Sequence, residues 1–479
     1  MAVCADGCPT LSRSTSQAHY LRNVGGPLRV SNLQRSLRPA GGAFTSSQGT
    51  RFPDSITSRV DYPQLFTSDH ALNTDPTPQS ETLSIHLRRL DSLLSDVYQT
   101  EDTLRDRKYE QPVFPPTLSA AQMDRYKPLR NASSKYLFTS ILFNVGHILP
   151  DMIQSLLVAV DFLGPENFGI SIVEGPSSDA TDIMLERVLA PLLIEMGVDP
   201  LDIHLNTRRP SAKFGESNRI EKLAALREEP LLPLRQARKG TDEYEAVVFF
   251  NDVYFSGAML LELILQHKNQ ESDVTCAWDL LWNDGYFYDV WVARDIYTGD
   301  LFQPMGSTWS TSFDLFPTSP KTLKRYQARL PFQAYSCWNG IAVLSSSALL
   351  PPRPIHFRRS SIKDGECAQA EVSLMMKDIW ALRAQEGQGA KVLVVPGVRL
   401  AYERPVAEIV RGLDEATVGG VIVGQEKKVG LAGGGLKEKV DWTKRPPKAV
   451  RCHPWPEVNG TGSDINVWKE TRWIDPLTG

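Results

Sequence analysis

The pair Asn251-Asp252 follows an apolar run, Glu245-Ala-Val-Val-Phe-Phe250. A carboxylate just past a buried strand can hold a divalent cation that bridges two phosphates. The same side chain can instead cap the next helix. Glu174 closes another apolar run and can accept hydrogen bonds from ribose hydroxyls or a base. Ser178 and Asp179 can do the same, or cap the next helix. Lys213, Arg219 and Arg227 are cations able to neutralise a pyrophosphate. Arg219 stands at a helix start, where a purely structural cation opposes the helix dipole. Asp279, Asp284, Asp289 and Asp295 lie among Trp278, Trp282, Tyr286, Phe287, Tyr288, Trp291 and Tyr297. Carboxylates mixed with aromatic faces bind sugars, and the same mixture fits a buried aromatic core with Asp at its turns. His453, in Cys452-His-Pro-Trp455, is able to complete a metal shell, although a lone His is more often structural.

The elements that must position these residues alternate between strand and helix. The spacing predicts strands at Tyr136–Phe143, Phe168–Glu174, Ile203–Asn206 and Glu245–Phe250, with a late one at Lys391–Val395. Helices are predicted over Leu149–Leu163, from Ser177–Asp182 to about Met196, over Asn218–Arg227 and over Ser256–His267. Strands alternating with helices predict an α/β fold with a mostly parallel, Rossmann-like sheet flanked by helices. In such sheets ligands bind beyond the carboxyl ends of the strands. That rule gathers Asn144–Pro150, Glu174–Asp179 and Asn251–Asp252 at one edge.

Around this body the chain divides by composition. Residues 1–80 are rich in Ser, Gly, Pro and Arg and read as a disordered tail; an Arg-rich, acid-poor start also resembles a transit peptide. Residues 81–117 read as an amphipathic helix, with Leu83, Leu87, Leu90, Leu94 and Val97 at helical spacing, and a Pro-rich linker. The body spans 118–475: a nucleotide half at 118–275, an acceptor half at 276–405, and a Gly-rich loop and tail at 406–475. Gly433-Gly-Gly-Leu-Lys-Glu438 lacks phosphate-loop spacing and receives no nucleotide role. The formal charge of −4 over 479 residues argues against a general nucleic-acid binder. No apolar run of about 18 residues predicts a membrane span, and no signal-peptide core is visible. Six widely spaced Cys predict neither a disulfide scaffold nor a zinc site. Asn131-Ala-Ser133 and Asn459-Gly-Thr461 fit the N-glycosylation pattern, a weak pointer to a lumenal location.

Eight motifs occur in one order: Asn144-Val-Gly-His-Ile-Leu-Pro150; Ser171-Ile-Val-Glu174 with Ser178-Asp-Ala-Thr181; Arg219 to Arg227; Phe249-Phe-Asn-Asp-Val253; Thr275-Cys-Ala-Trp-Asp279; Phe287 to Asp295; Ser336-Cys-Trp-Asn-Gly340; and Gly365-Glu-Cys367 with Lys377-Asp-Ile-Trp380. Together they resemble the fungal cryptococcal-mannosyltransferase family, glycosyltransferase family 69, from about residue 120 to 405. The resemblance implies a GT-A-type fold and retaining α-1,3-mannosyl transfer from GDP-mannose to a mannose-containing glycan, with Mn²⁺ or Mg²⁺. It makes Asp252 a metal ligand, with His453 as a second candidate. Glu174, Ser178, Asp179, Lys213, Arg219 and Asn251 become donor-site candidates. Asp279 and Asp289 become catalytic candidates that orient the acceptor or stabilise an oxocarbenium-like transition state. It also implies the Golgi or secretory lumen, although no anchor is visible, so a soluble cytoplasmic protein stays open. Val372 stands where a further Cys is expected, which leaves the partner of Cys367 open, with Cys337 as one substitute. Two other functions compete: a non-catalytic scaffold on the same fold, and a nucleotidyltransferase, for which Asn144-Val-Gly-His147 is a poor phosphate loop.

Overall fold

The computed structural model describes residues 80–104, 107–130, 134–209, 218–236, 243–281, 286–303, 315–414, 417–418, 421–422, 437–454 and 471–479. The expected tail, Lys213, both glycosylation patterns, Trp282, Asp284 and the Gly433–Gly435 run lie outside these residues.

The described residues open with α1 (Glu81–Thr100) and α2 (Ala120–Arg130). Strand and helix then alternate: β1 (Lys135–Leu142), α3 (Leu149–Leu163), β2 (Phe168–Glu174), α4 (Thr181–Met184), a π turn (Leu185–Leu189), α5 (Ala190–Glu195) and β3 (Ile203–Asn206). Next come α6 (Arg219–Glu228), α7 (Leu232–Gln236), β4 (Tyr244–Phe250), α8 (Gly257–Gln270) and β5 (Val274–Leu281). The second half adds β6 (Tyr286–Phe287), β7 (Arg294–Asp295), α9 (Pro320–Gln327), β8 (Phe332–Ser336), β9 (Ile341–Ser345), α10 (Ser346–Leu349) and α11 (Glu371–Gln385). It closes with β10 (Val392–Ala401), α12 (Arg404–Asp414), β11 (Thr417–Val418), β12 (Val421–Ile422), β13 (Val450–Cys452) and β14 (Arg472–Ile474).

One large sheet runs β3-β2-β1-β4-β9-β5-β10-β8-β7, with β6 on β5. The strand–helix units pair in parallel from β3 to β4, and β10 is parallel to β5. β9 is antiparallel to both β4 and β5, so β5 points the same way as β4. The carboxyl ends of β1, β2, β4, β5 and β10 therefore share one edge, and β9 starts there. The expected division at residue 275 falls inside β5, so both halves are built on one sheet.

Alternate strand residues face two apolar layers, as the pleat requires. On β4, Ala246, Val248 and Phe250 pack with α1, α3 and α8, whereas Val247 and Phe249 pack with α7 and α11. α1 is amphipathic as its spacing predicts, burying Leu83, Leu90, Leu94 and Val97 on this first layer. The aromatic run forms core: Trp278, Phe287 and Trp291 are buried in the second layer and Tyr288 in the first, and Trp278 stacks on Phe287 at 4.3 Å. Burial of that much ring area outweighs what open stacking faces offer. Two cystines, Cys276–Cys337 and Cys367–Cys452, cross-link distant segments. This corrects the expected absence of structural disulfides, and Cys452, not Cys337, is the partner of Cys367. No helix among the described residues is long and apolar enough to cross a membrane.

Candidate active site

The loops after β1, β2 and β3 meet at the carboxyl edge. Glu174 is fully buried, and both oxygens are engaged, Oε1 by the Ser177 N–H at 3.1 Å and Oε2 by the Arg208 N–H at 2.8 Å. Burial pushes its pKa up, and these bonds pull it back. Asp179, expected as a cap or a ribose ligand, is occupied by its own loops. Its Oδ2 accepts the Gly146 N–H at 2.9 Å, and its Oδ1 accepts the Thr181 hydroxyl at 2.6 Å. It thus staples the loop after β1 to the loop after β2. Gly146 is required there, because a Cβ would stand 2.5 Å from the Asp179 carbonyl oxygen. The residue before α4, Ala180, has φ 60° and offers no side-chain cap. Ser178 is exposed; its N–H donates to Asn144 Oδ1 at 2.8 Å. Asp179→Ala is expected to lower stability to urea by about 2–3 kcal/mol, since a buried N–H loses its acceptor. A loss below about 0.5 kcal/mol with weakened donor binding would return Asp179 to a ligand role.

Asp252 stands just past β4, almost fully buried at 6% exposure. Its charge raises the pKa of His147, which burial lowers overall, and it raises that of Tyr402. The loops after β1, β4 and β10 therefore converge around it. A hard cation in a transferase takes one or two carboxylates and completes its shell with substrate phosphates and waters. A single buried carboxylate at the ligand edge fits that donor set, and an all-protein cage is not needed. Among the described residues no group of three or more His, Cys, Asp or Glu forms such a cage. His453 is fully buried, its ring 4.0 Å from that of Trp291. Burial, then the charge of Arg294, pushes its pKa down to about 3, so the imidazole is neutral.

The acid pair divides by exposure. Asp279, on β5, is wholly enclosed. Its Oδ2 accepts the Tyr402 hydroxyl at 3.1 Å, and its Oδ1 has no hydrogen-bond partner among the described residues. Burial, then the neighbouring charge of Asp289, holds its pKa well above the usual range. Asp289 is half-buried; its Oδ2 accepts the Asn339 N–H at 2.8 Å. Burial pushes its pKa to about 6, against the opposing pull of that bond, Arg227 and Arg294. Asp279 is the more strongly held in its protonated form, which leaves Asp289 as the readier of the pair to ionise. Tyr402, which sequence reasoning missed, packs its ring 4.2 Å from Tyr288.

Two of the three candidate cations lie among the described residues, and their settings differ. Arg219 opens α6 half-buried, while Asn218 caps that helix through Oδ1 on the Ile220 N–H. Arg227 is buried, its Nε on Glu371 at 2.8 Å and its guanidinium 4.7 Å from the Trp338 ring. Asn251 accepts the Trp338 Nε1–H at 3.2 Å, and its Nδ2 has no hydrogen-bond partner among the described residues.

A mostly parallel sheet interrupted by antiparallel β9, with β6 and β8 also antiparallel and carboxylates at the carboxyl edge, fits a glycosyltransferase of the GT-A type. The family model described as cryptococcal mannosyltransferase 1 matches residues 135–378. The chain is 44% identical over 373 residues to the alpha-1,3-mannosyltransferase CMT1 of Cryptococcus neoformans, covering 75% of this chain and 76% of that one. The chain belongs to the cryptococcal mannosyltransferase family and is a glycosyltransferase. Among solved structures it is similar to TarS 1–349 of S. aureus, at 14% identity and a TM-score of 0.32, over 57% of this chain and 61% of that one. It is also similar to the mannosyltransferase PcManGT of Pyrobaculum calidifontis in complex with GDP-Man and Mn²⁺, at 11% identity and a TM-score of 0.30, over 67% and 68%. Likenesses this distant say nothing of donor, metal or acceptor.

Proposed function

We propose that the protein transfers mannose from GDP-mannose to a mannose-containing glycan in α-1,3 linkage, with retention and with the help of Mn²⁺ or Mg²⁺. The observation that carries this reading is the 44% identity to an alpha-1,3-mannosyltransferase across three quarters of the chain. The loops bearing Glu174, Ser178 and Asp179 shape the nucleotide side, and Asn251 and Asp252 face the diphosphate. Arg219, at the start of α6, adds positive charge, and Lys213 keeps that role on its residue type alone. Asp252 would hold the cation, which supplies charge neutralisation to the departing diphosphate. The anomeric C–O bond to GDP breaks, a new one forms to the acceptor oxygen on the same face, and the acceptor proton passes to the departing phosphate. Asp289, negative and half-exposed, stabilises the positive charge that grows at the anomeric carbon. Asp279 supports it from behind as a neutral acid.

The two cystines support maturation in an oxidising compartment such as the secretory lumen. Alkylation of the unfolded, unreduced protein is expected to leave Cys276, Cys337, Cys367 and Cys452 unlabelled. Labelling of these four in protein from its native source would contradict the lumenal reading.

The test of function is release of GDP from GDP-mannose by the full chain, with Mn²⁺ and with EDTA. Metal-dependent release supports the reading. No release from any nucleotide sugar, by a folded protein, would favour the scaffold.

A further inference from the structure

The turn between β8 and β9, Cys337-Trp-Asn-Gly340, is attached to both sides of the site. Cys337 is joined to Cys276, three residues before Asp279 on β5. On the donor side, Trp338 Nε1 donates to Asn251 Oδ1 at 3.2 Å, and the Gly340 carbonyl accepts the Asn251 N–H at 2.8 Å. On the acceptor side, the Asn339 N–H donates to Asp289 Oδ2 at 2.8 Å, and Asn339 Nδ2 donates to the Ala277 carbonyl at 2.8 Å.

The backbone is fitted to this task. Asn339 has φ 54° and Gly340 φ 81°, two successive left-handed residues. Asn tolerates that conformation better than most residues, and Gly adopts it freely. Gly340 is also closed in: a Cβ would stand 3.0 Å from Leu400 Cδ1 and 3.3 Å from Val253 Cγ1. The indole of Trp338 is fixed in turn, with Arg227 over its face and Phe249 5.3 Å away.

The geometry points to this turn as one positioning element shared by donor and acceptor sides, in which Trp338 orients Asn251 and Asn339 orients Asp289. Neither residue touches substrate; each acts through the residue it holds. The Trp338 hydrogen bond decides which end of the Asn251 amide faces which way, so without it the two ends become interchangeable. The Asn339 N–H fixes one oxygen of Asp289 and leaves the other for the reaction. What the two sides bind rests on the proposed function; the contacts do not.

Two variants separate the sides. Trp338→Phe keeps an aromatic face under Arg227 and loses the indole N–H together with part of the ring volume. It is expected to weaken GDP-mannose binding about tenfold, with kcat within about threefold of wild type. Asn339→Ala loses the Ala277 anchor and the left-handed preference. It is expected to lower kcat about tenfold or more and to leave donor binding unchanged. It also moves the acid limb of the pH profile upward, since the backbone N–H at 339 survives but is no longer held on Asp289, and a carboxylate with a weakened donor ionises later. Asn339→Gly keeps the left-handed turn and gives a smaller shift in the same direction, which covers the case of an Ala variant that does not fold. The charged and titratable groups around Asp289, namely Asp279, Arg227, Arg294, Glu371 and Tyr402, stay in place in every variant.

Donor binding is read by calorimetry with GDP-mannose and Mn²⁺, and the Asp289 titration by its carboxyl carbon resonance in substrate-free protein. The second readout keeps two failures apart: it moves in the Asn339 variants whatever the donor is. Unchanged donor binding in Trp338→Phe, an unmoved Asp289 titration in folded Asn339 variants, or the same parameter changed in both would overturn the inference.

Discussion

Asp252→Asn is expected to remove metal-dependent turnover of GDP-mannose. The substitution keeps the shape of a side chain that is 6% exposed and deletes only its charge. Metal-borne charge stabilisation in a transition state is worth several kcal/mol, so the loss in kcat/KM is on the order of a thousandfold. Excess Mn²⁺ recovers little of it, because an amide is a far weaker ligand than a carboxylate for a hard cation. The comparison is kcat/KM of wild type and variant across a Mn²⁺ titration, beside a circular-dichroism spectrum. Turnover within tenfold of wild type at saturating Mn²⁺ would remove Asp252 from the metal site.

Asp289→Asn carries the second large effect, and its contrast with Asp279→Asn is sharper than either alone. On the proposed function the charge on Asp289 stabilises the positive charge that grows at the anomeric carbon, so its loss is expected to lower kcat about 100- to 1000-fold. The raised pKa sets the sign of the pH dependence. A carboxyl pushed up to about 6 is largely protonated at pH 5 and ionised at pH 7, so wild-type kcat rises with pH through that range. Asp289→Asn abolishes this limb. Asp279→Asn replaces one neutral group by another of the same shape, still within reach of the Tyr402 hydroxyl, and is expected to stay within about tenfold of wild type. pH–rate profiles of the three proteins decide it. Equal losses in both variants would mean that Asp279 works as an anion.

Much of the scaffold is legible in the sequence because fully buried parallel strands read as unbroken apolar runs. β2 and β3 begin and end where their patterns do, and α3 spans the whole predicted Leu149–Leu163. The strand-end rule alone puts Glu174 and Asp252 at the right edge. The acceptor half is harder to read. β8 and β9 are short and pair with strands far away in sequence, so no local pattern announces them. The apolar pattern of β10 stops at Val395, ahead of Pro396-Gly397. A register shift between Val394 and Arg399 carries the strand on to Ala401, and so hides Tyr402 from a local reading. The cystines join residues 61 and 85 positions apart, distances at which only the fold brings sulfurs together. Asp179 shows the remaining limit. A carboxylate type at a loop says that hydrogen bonds are accepted there, and only geometry says that the backbone of Gly146 and the Thr181 hydroxyl supply them.

Transfer itself is the decisive measurement. The full chain is incubated with GDP-mannose, Mn²⁺ and an α-mannoside acceptor, and the product linkage is read by NMR. The expected product is a new α-1,3-linked mannose, formed with Mn²⁺, absent with EDTA and absent in Asp252→Asn. A product of another sugar or linkage would contradict the substrate assignment. No product from a folded protein that binds no nucleotide sugar would contradict the catalytic reading as a whole.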